Sequence, residues 1–444
     1  MKQFAAACAA LSLWASSPAL AQEQAGFEPA VESAIENVLP RMIAWRRDIH
    51  QNPELGNRET RTAALVARHL RALRLDEVRT GVAHTGVVGI LRGGQPGPVI
   101  ALRADMDALP VTEEVDVPFR SRVRTTYNGQ EVGVMHACGH DTHVAILMAA
   151  AEVLARRRAE LAGTIVFIFQ PAEEGAPQGE EGGAELMLKE GLFEELRPEA
   201  VFGLHVGNEE GGVVFASAGG SMASSDAWRL IVRGRQTHAS RPHQGVDPIT
   251  TAAQIVQALQ LIPSRQINAV DTPIVISVGQ IRGGIRSNII PDEVHLWGTL
   301  RTLDAGARED AMARIRRTAE EIAAASGATA ELTWDEGNYP VLVNDEAATA
   351  RGVAAIRRVL GADRVRPRNP IMGAEDFAFF ANEAPGFYFL LGVNPPGVTE
   401  APSNHSPHFY VHEPALEAGL RAMLAAALDR VEPDAFAAPQ GAMP

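Results

Sequence analysis

Gly163-Thr-Ile-Val-Phe-Ile-Phe-Gln170 is an unbroken apolar run rich in β-branched and aromatic residues. A strand with one wet face alternates apolar and polar residues; a strand covered on both faces does not. The run therefore predicts a central strand of a mostly parallel sheet with helices on either side. It is followed at once by Pro171-Ala-Glu-Glu-Gly175, which places two carboxylates in the loop leaving the strand. Binding sites of parallel sheets collect at that carboxyl end.

The surrounding pattern supports a layered α/β domain. Residues 31–50 and 58–75 have helical periodicity, and residues 142–158 read as a buried helix. Residues 86–91 and 98–103 read as buried strands separated by a Gly-Gly-Gln-Pro-Gly turn, with a further helix at 185–190 and a strand at 201–206. Near residue 222 the order changes to strand 227–232, helix 248–261 with Asp247 as its N-cap, strands 273–281 and 293–300, helix 307–325 and strand 328–334. That β-α-β-β-α-β order matches a ferredoxin-like unit. The α/β pattern resumes after about residue 337 and ends in a helix at 413–431. The expected organisation is thus a larger domain in two parts, 22–221 and 337–433, interrupted by a small α+β domain at 222–336. The Ala/Pro-rich stretch 434–444 is expected to be a disordered tail.

Residues 1–21 read as a secretory signal peptide. Lys2 is the positive start, residues 5–14 the apolar stretch, and Ala19-Leu-Ala21 the small-x-small cleavage site, giving a mature start at Gln22. The apolar stretch is too short to span a bilayer. The expected location is outside the cytoplasm, most simply the periplasm, with no membrane attachment after cleavage. The formal charge is −14, and loss of Lys2 makes it more acidic. Such a chain repels phosphate backbones, which argues against nucleic-acid binding. Of the two cysteines, Cys8 leaves with the signal, so Cys138 has no partner for an intrachain disulfide. An unpaired exported thiol is a liability unless it is buried or bound to metal.

Cys138 lies in Met135-His-Ala-Cys-Gly-His-Asp-Thr-His143, which gathers three imidazoles, a thiol and a carboxylate into nine residues. Cys138 and His140 are two apart, so an extended or tightly turned backbone lets both reach one metal centre. Sulfur with imidazole suits zinc or another late first-row ion. Further reactive residues follow predicted strands: Asp105-Met-Asp107, Glu173-Glu174 and His205, with His405 in a late loop. Adjacent carboxylates point apart, so one of Glu173 and Glu174 can hold a metal while the other takes a proton from water.

Taken together, these motifs resemble the co-catalytic metallopeptidase family of aminoacylases, hippurate hydrolases and auxin-conjugate amidohydrolases, related to carboxypeptidases and succinyl-diaminopimelate desuccinylase. The resemblance runs from Arg47-Asp-Ile-His-Gln-Asn-Pro-Glu54 through Arg103-Ala-Asp-Met-Asp-Ala-Leu-Pro110, Cys-Gly-His-Asp, Gln170-Pro-Ala-Glu-Glu174 and Gly203-Leu-His205. It continues through His238-Ala-Ser-Arg-Pro-His243, Asn288-Ile-Ile-Pro291, Gly373-Ala-Glu-Asp-Phe377 and His405-Ser-Pro407. It implies two divalent metal ions, zinc or manganese, cobalt or nickel, held by a bridging Cys138 with His140, Glu174, His205 and His405. Glu173 would act as general base and then acid on a shared water. Asp107 would orient a metal-bound imidazole. His238 of the inserted lid and dimerisation domain would stabilise the oxyanion, often across a homodimer. Asn288, Arg286 or both would grip a substrate carboxylate. His136, His143 and His408 are read as supporting residues. The implied reaction is hydrolysis of N-acyl-amino acids or similar small amides. The alternatives are a carboxypeptidase or dipeptidase, against which Cys138 counts, and a non-catalytic metal- or solute-binding protein.

Overall fold

The computed structural model describes residues 26–335 and 337–437. The proposed signal peptide and residues 438–444 lie outside them.

The apolar run is a strand, Ala162–Gln170, buried from Ile165 onward. It pairs in parallel with Gln95–Asp105, which pairs in parallel with Ala200–Glu210, which in turn pairs in parallel with Gly386–Asn394. Antiparallel Gly86–Arg92 and Glu77–Val82 complete one side, and short strands Val214–Phe215 and Val365–Arg366 the other, giving eight strands in a mixed, mostly parallel sheet. The helices Pro29–Gln51, His140–Arg156 and Leu416–Val431 pack together against one face. The second face carries a smaller apolar cluster that includes Met187, Phe377 and Phe380. Phe167, Phe169, Phe202, Phe387 and Phe389 are almost fully buried within this sheet, each contributing roughly 1.5–3 kcal/mol on transfer from water.

The chain leaves and re-enters this domain through a neck. Gly219–Met222 pairs antiparallel with Leu342–Asn344, and Ser225 bridges Tyr339. Between them lies a separate antiparallel sheet in the order Ile274–Gly283, Glu293–Thr302, Asp226–Arg233, Thr329–Trp334. Helices Pro248–Leu259 and Ala305–Ala325 pack on it through Ile255, Leu259, Ile315 and Ala319. With strands numbered along the chain this is the order 2-3-1-4, the ferredoxin-like arrangement. Asp247 caps its helix as expected, its side chain accepting from the Ile249 and Thr250 amides. The second helix starts two residues earlier than its periodicity suggests, because Asp304 caps it by accepting from Ala307 N.

Two differences from expectation stand out. The tail does not begin at Asp434: Pro433–Ala435 forms a 3-10 turn, and Phe436 pairs with Phe27, ring to ring at 5.5 Å, under the Arg358 guanidinium. Apolar burial of one phenylalanine anchors a segment whose composition alone reads as loose. The hairpin Arg124–Tyr127/Gln130–Gly133 was also not among the expected elements. Asn128 and Gly129 at its tip both have positive φ, the two-residue turn that Asn-Gly favours. Among the described residues, no helix is long and apolar enough to cross a membrane.

Candidate metal centre

The carboxyl ends of the parallel strands converge on one point. Gln95–Asp105 leads into Asp107, Ala162–Gln170 into Glu173 and Glu174, and Ala200–Glu210 carries His205 midway along its length. Cys138 and His140 come from the turn that opens the buried helix. Gly139 between them has φ +90°, and a Cβ there would lie 2.3 Å from Val206 Cγ2, so only glycine permits the turn. His405 arrives on a late loop pinned by its amide to Ala137 O at 2.8 Å and by Asn404 Nδ2 to the carbonyls of Cys138 and Val206.

Cys138 is shared by two triads of potential ligands. One is Cys138, His140 and His205; the other is Cys138, Glu174 and His405. Within each, the ligand atoms lie within 4.8 Å of one another. Cys138 Sγ is 3.3 Å from His205 Nε2, and His405 Nε2 is 3.0 Å from Glu174 Oε1. Cys138 belongs to both triads, so these residues would hold two divalent ions, and the S, N and O donors fit late first-row metals. His140 Nε2 is buried and makes no hydrogen bond, as expected of a nitrogen reserved for a cation.

The supporting contacts fix each imidazole. Asp107 Oδ1 lies 3.2 Å from His140 Nδ1, and its two oxygens accept the amides of Glu173 and Glu174 at 3.0 and 2.9 Å. One carboxylate thus holds both the ring and the loop carrying the acids. His205 Nδ1 donates to Val206 O at 2.7 Å, which leaves Nε2 facing Cys138. His143 is held between Asp105 Oδ1 at 2.6 Å and the Val206 amide at 2.9 Å, so it supports rather than ligates. Both nitrogens of buried His136 lack partners, and burial drives it down to about 3, which keeps it neutral. His408 sits on the surface, 3.3 Å from Glu114.

Electrostatics follow burial. Burial pushes the Cys138 thiol up, with Glu174 adding to the effect; a nearby cation would be needed to hold the thiolate. Burial, with His143 beside it, holds His205 well below its ordinary value and therefore neutral. Hydrogen bonds to Cys138 and Glu174 push His405 up to about 10. Burial, then Glu375 and Glu174, raise Glu173 well above the usual carboxylate range. Its Oε2 lies 3.9 Å from His140 Nε2, at the edge of the cluster. Ala172 and His405 both hold left-handed backbone, φ 50° and 69°, and such strained residues concentrate at working sites.

Several residues of this centre carry no assigned role in the sequence reading. Arg103 is fully buried and binds Asp105 at 2.7 Å, Glu375 at 2.8 Å, Asp376 at 2.9 Å and Gln170 at 2.8 Å. Tyr339 donates to Glu173 O at 2.6 Å. Glu59 accepts from Ala172 N at 2.8 Å beneath the acid pair. The Gly373–Phe377 motif was visible in the sequence, but only the fold places Glu375 and Asp376 on Arg103.

Residues 101–429 match the model of peptidase family M20/M25/M40. The chain belongs to this family. It is 42% identical over 380 residues to thermostable carboxypeptidase 2 of Saccharolobus solfataricus, covering 85% of this chain and 92% of that one. It is 37% identical over 381 residues to N-acetylcysteine deacetylase of Bacillus subtilis, covering 85% and 93%. It superimposes with a TM-score of 0.73, at 35% identity and over 88% of this chain and 99% of the other, on a Bacillus subtilis M20 protein described as a dinuclear metal-binding peptidase. The protein is therefore a hydrolase of the M20 amidohydrolase and peptidase type, and the non-catalytic binding protein is set aside.

The M20 cluster opens into a cavity of about 620 Å³ lined by Cys138, Glu173, His205, Arg301, Arg368 and His405, among others. His238, Arg286 and Asn288 are not on its wall. A two-residue ladder pairs His238 with Ile289, and Ala239 N donates to Asn288 O at 3.1 Å, so His238 and Asn288 are neighbours. All three side chains are exposed on the small domain. Arg301 lies on the wall instead. It comes from the Glu293–Thr302 strand, is partly buried, and makes no ion pair or side-chain hydrogen bond among the described residues.

Proposed function

We propose that this M20 hydrolase is an exported, periplasmic metal-dependent amidohydrolase that cleaves the amide bond of N-acyl-amino acids or similar small amides. The observation that carries the reading is the pair of ligand triads sharing Cys138, with Glu173 at their edge. When bound, two divalent ions (zinc, manganese, cobalt or nickel) would polarise the scissile carbonyl and acidify a shared water. Cys138, His140, His205, Glu174 and His405 would hold them. Glu173 takes a proton on its carboxylate and later delivers it to the leaving amine. The Asp376 amide donates to the carboxylate oxygen Glu173 Oε1 at 3.4 Å, and Tyr339 donates to the Glu173 main-chain carbonyl, so backbone and side chain are both tied. Arg301, lacking an ionic partner on the cavity wall, is suited to grip the free carboxylate of the amino-acid half.

A homodimer through the small domain completes the reading. Ile274–Gly283 is an edge strand, and Val275, Ile281, Ile285, Ile249, Leu261 and Val270 are large exposed apolar residues of this region. An uncovered edge with apolar residues favours pairing with a second chain. In such a pair, His238 and Asn288 would reach the partner's cavity. Peptide hydrolysis is the second reading, supported by the identity to a named carboxypeptidase.

The test is release of free amino acid from N-acetyl amino acids, hippurate and dipeptides by metal-loaded mature protein, with and without chelator. Chelator-sensitive turnover of the acyl amino acids, lost by roughly 10²–10⁴-fold in Glu173→Gln with metal content unchanged, is expected. Turnover that survives Glu173→Gln overturns the mechanism; turnover of dipeptides alone moves the assignment to the peptidase reading.

A further inference from the structure

The strand that carries His205 carries a second group with no assigned use. The strand is irregular past Gly207, where its register against the neighbouring strand shifts, and Asn208 and Glu209 both line the cavity that holds His205. The Glu209 carboxylate lies against Gly207. A Cβ built on Gly207 would fall 2.5 Å from Glu209 Oε2 and 3.1 Å from both terminal carbons of Leu390. The carboxylate therefore occupies space that only a glycine at 207 leaves open.

There it is poorly satisfied. Glu209 Oε2 is buried and has no hydrogen-bond partner. Oε1 is 3.8 Å from an Arg368 guanidinium nitrogen, beyond hydrogen-bond reach. The Arg368 side chain makes no hydrogen bond among the described residues, and only its main chain is tied, to Ser217. Both side chains line the cavity that holds the metal cluster. A buried carboxylate oxygen without a donor is costly, and such an atom in a binding cavity is matched by what enters it. Burial raises Glu209 and Arg368 opposes the rise, as expected for an acceptor held near a distant cation.

We propose that Glu209 is a specificity-determining residue whose under-satisfied carboxylate accepts a hydrogen bond from an N–H group on the substrate's amino-acid side chain. The favoured substrates are then N-acyl derivatives of amino acids bearing a guanidinium, ammonium or amide, and a side-chain carboxylate is disfavoured by repulsion from the same group. The inference rests on the reading above that this cavity receives the amino-acid half of an acyl amino acid. Arg368 partly offsets the charge of Glu209 without hydrogen-bonding to it, which leaves the carboxylate available to the substrate.

The test compares N-acetyl-L-arginine with N-acetyl-L-glutamate on the metal-loaded mature protein and on Glu209→Gln. Calorimetric binding of free L-arginine and L-glutamate is measured in parallel. The expected wild-type kcat/KM ratio favours arginine by about tenfold or more. Glu209→Gln reduces that ratio by about tenfold, chiefly through KM, and the binding preference falls with it. A wild-type ratio near one, or a ratio that Glu209→Gln leaves unmoved, overturns the proposal while the amidohydrolase reading stands. No turnover, with an arginine binding preference that Glu209→Gln removes, supports the subsite and overturns the substrate reading. No turnover and no preference overturns both.

Discussion

His140 and His238 occupy opposite surroundings in one chain. His140 is fully buried and faces Asp105, Asp107, Cys138 and Glu173, and its ring is set by a carboxylate that also holds two backbone amides. His238 is exposed, sits on a two-residue ladder, and among the described residues its ring hydrogen-bonds to Ser240 alone, with Oγ at 2.8 Å. Burial constrains the first site, because an unmatched polar atom there is costly unless it is kept for a cation, as His140 Nε2 is suited to be. The second site lacks that constraint within a single chain. The candidate metal ligands are thus assembled within one polypeptide, whereas His238, exposed in a single chain, would take the role proposed for it only once a second surface covered it.

Removing Arg103 attacks the constrained side of the comparison and should have the largest effect. Arg103→Met leaves Asp105, Glu375 and Asp376 buried with no cation between them. Breaking a buried pair typically costs about 3–5 kcal/mol. Chemical denaturation of the metal-free protein should show a loss of that size. A loss below about 1 kcal/mol would mean that the network is not what fixes the strand ends.

His238→Ala probes the open side. The metal content and unfolding midpoint should not change, and kcat should fall by roughly 10²–10³-fold, the usual effect of an oxyanion donor. Mixing Glu173→Gln chains with His238→Ala chains should restore part of the activity if His238 acts in the partner's cavity. Mixtures as inactive as their parents would leave His238 as a surface imidazole.

A smaller effect sharpens the contrast through pH. Burial and Asp107 push Glu59 up to about 8. Its folded value lies above its unfolded one, so the native state holds a proton that the unfolded state has released. Stability from this group is therefore full at low pH and is lost as pH rises from about 4.5 to about 8. Glu59→Gln should flatten the pH dependence of the metal-free protein's stability over that window, by at most about 1.4 kcal/mol per pH unit. An unchanged slope would show that Glu59 is ionised in the fold.

The two regions also differ in how far the sequence discloses them. Cys138, His140, Glu173 and Glu174 are legible because they are local: a two-residue spacing and a loop after an apolar strand. His205 and His405 needed the motif resemblance, since 200 residues separate them in the chain. Arg103, Glu375 and Asp376 could not be linked by spacing at all, because the two acids lie 272 and 273 residues after the strand residue Arg103, in the loop before the Phe377–Glu383 helix, and only the fold brings them together. Gly386–Asn394, buried throughout at the heart of the sheet, carries the same apolar signal as residues 163–170, yet was not among the strands expected in the second part of the domain. Arg301 and Glu209 stayed hidden for a different reason. Each lies within a strand, and only the closure of the cavity distinguishes them from ordinary surface charges.

The central claim is that one sulfur joins two cation sites. Metal analysis of the folded mature protein, saturated with zinc or manganese and desalted, tests it most directly, alongside Cys138→Ser treated identically. Two ions per chain are predicted, falling to one or none in the variant while circular dichroism and melting remain native-like. A well-folded wild type that retains no ion, or a Cys138→Ser protein that retains both, would contradict the account.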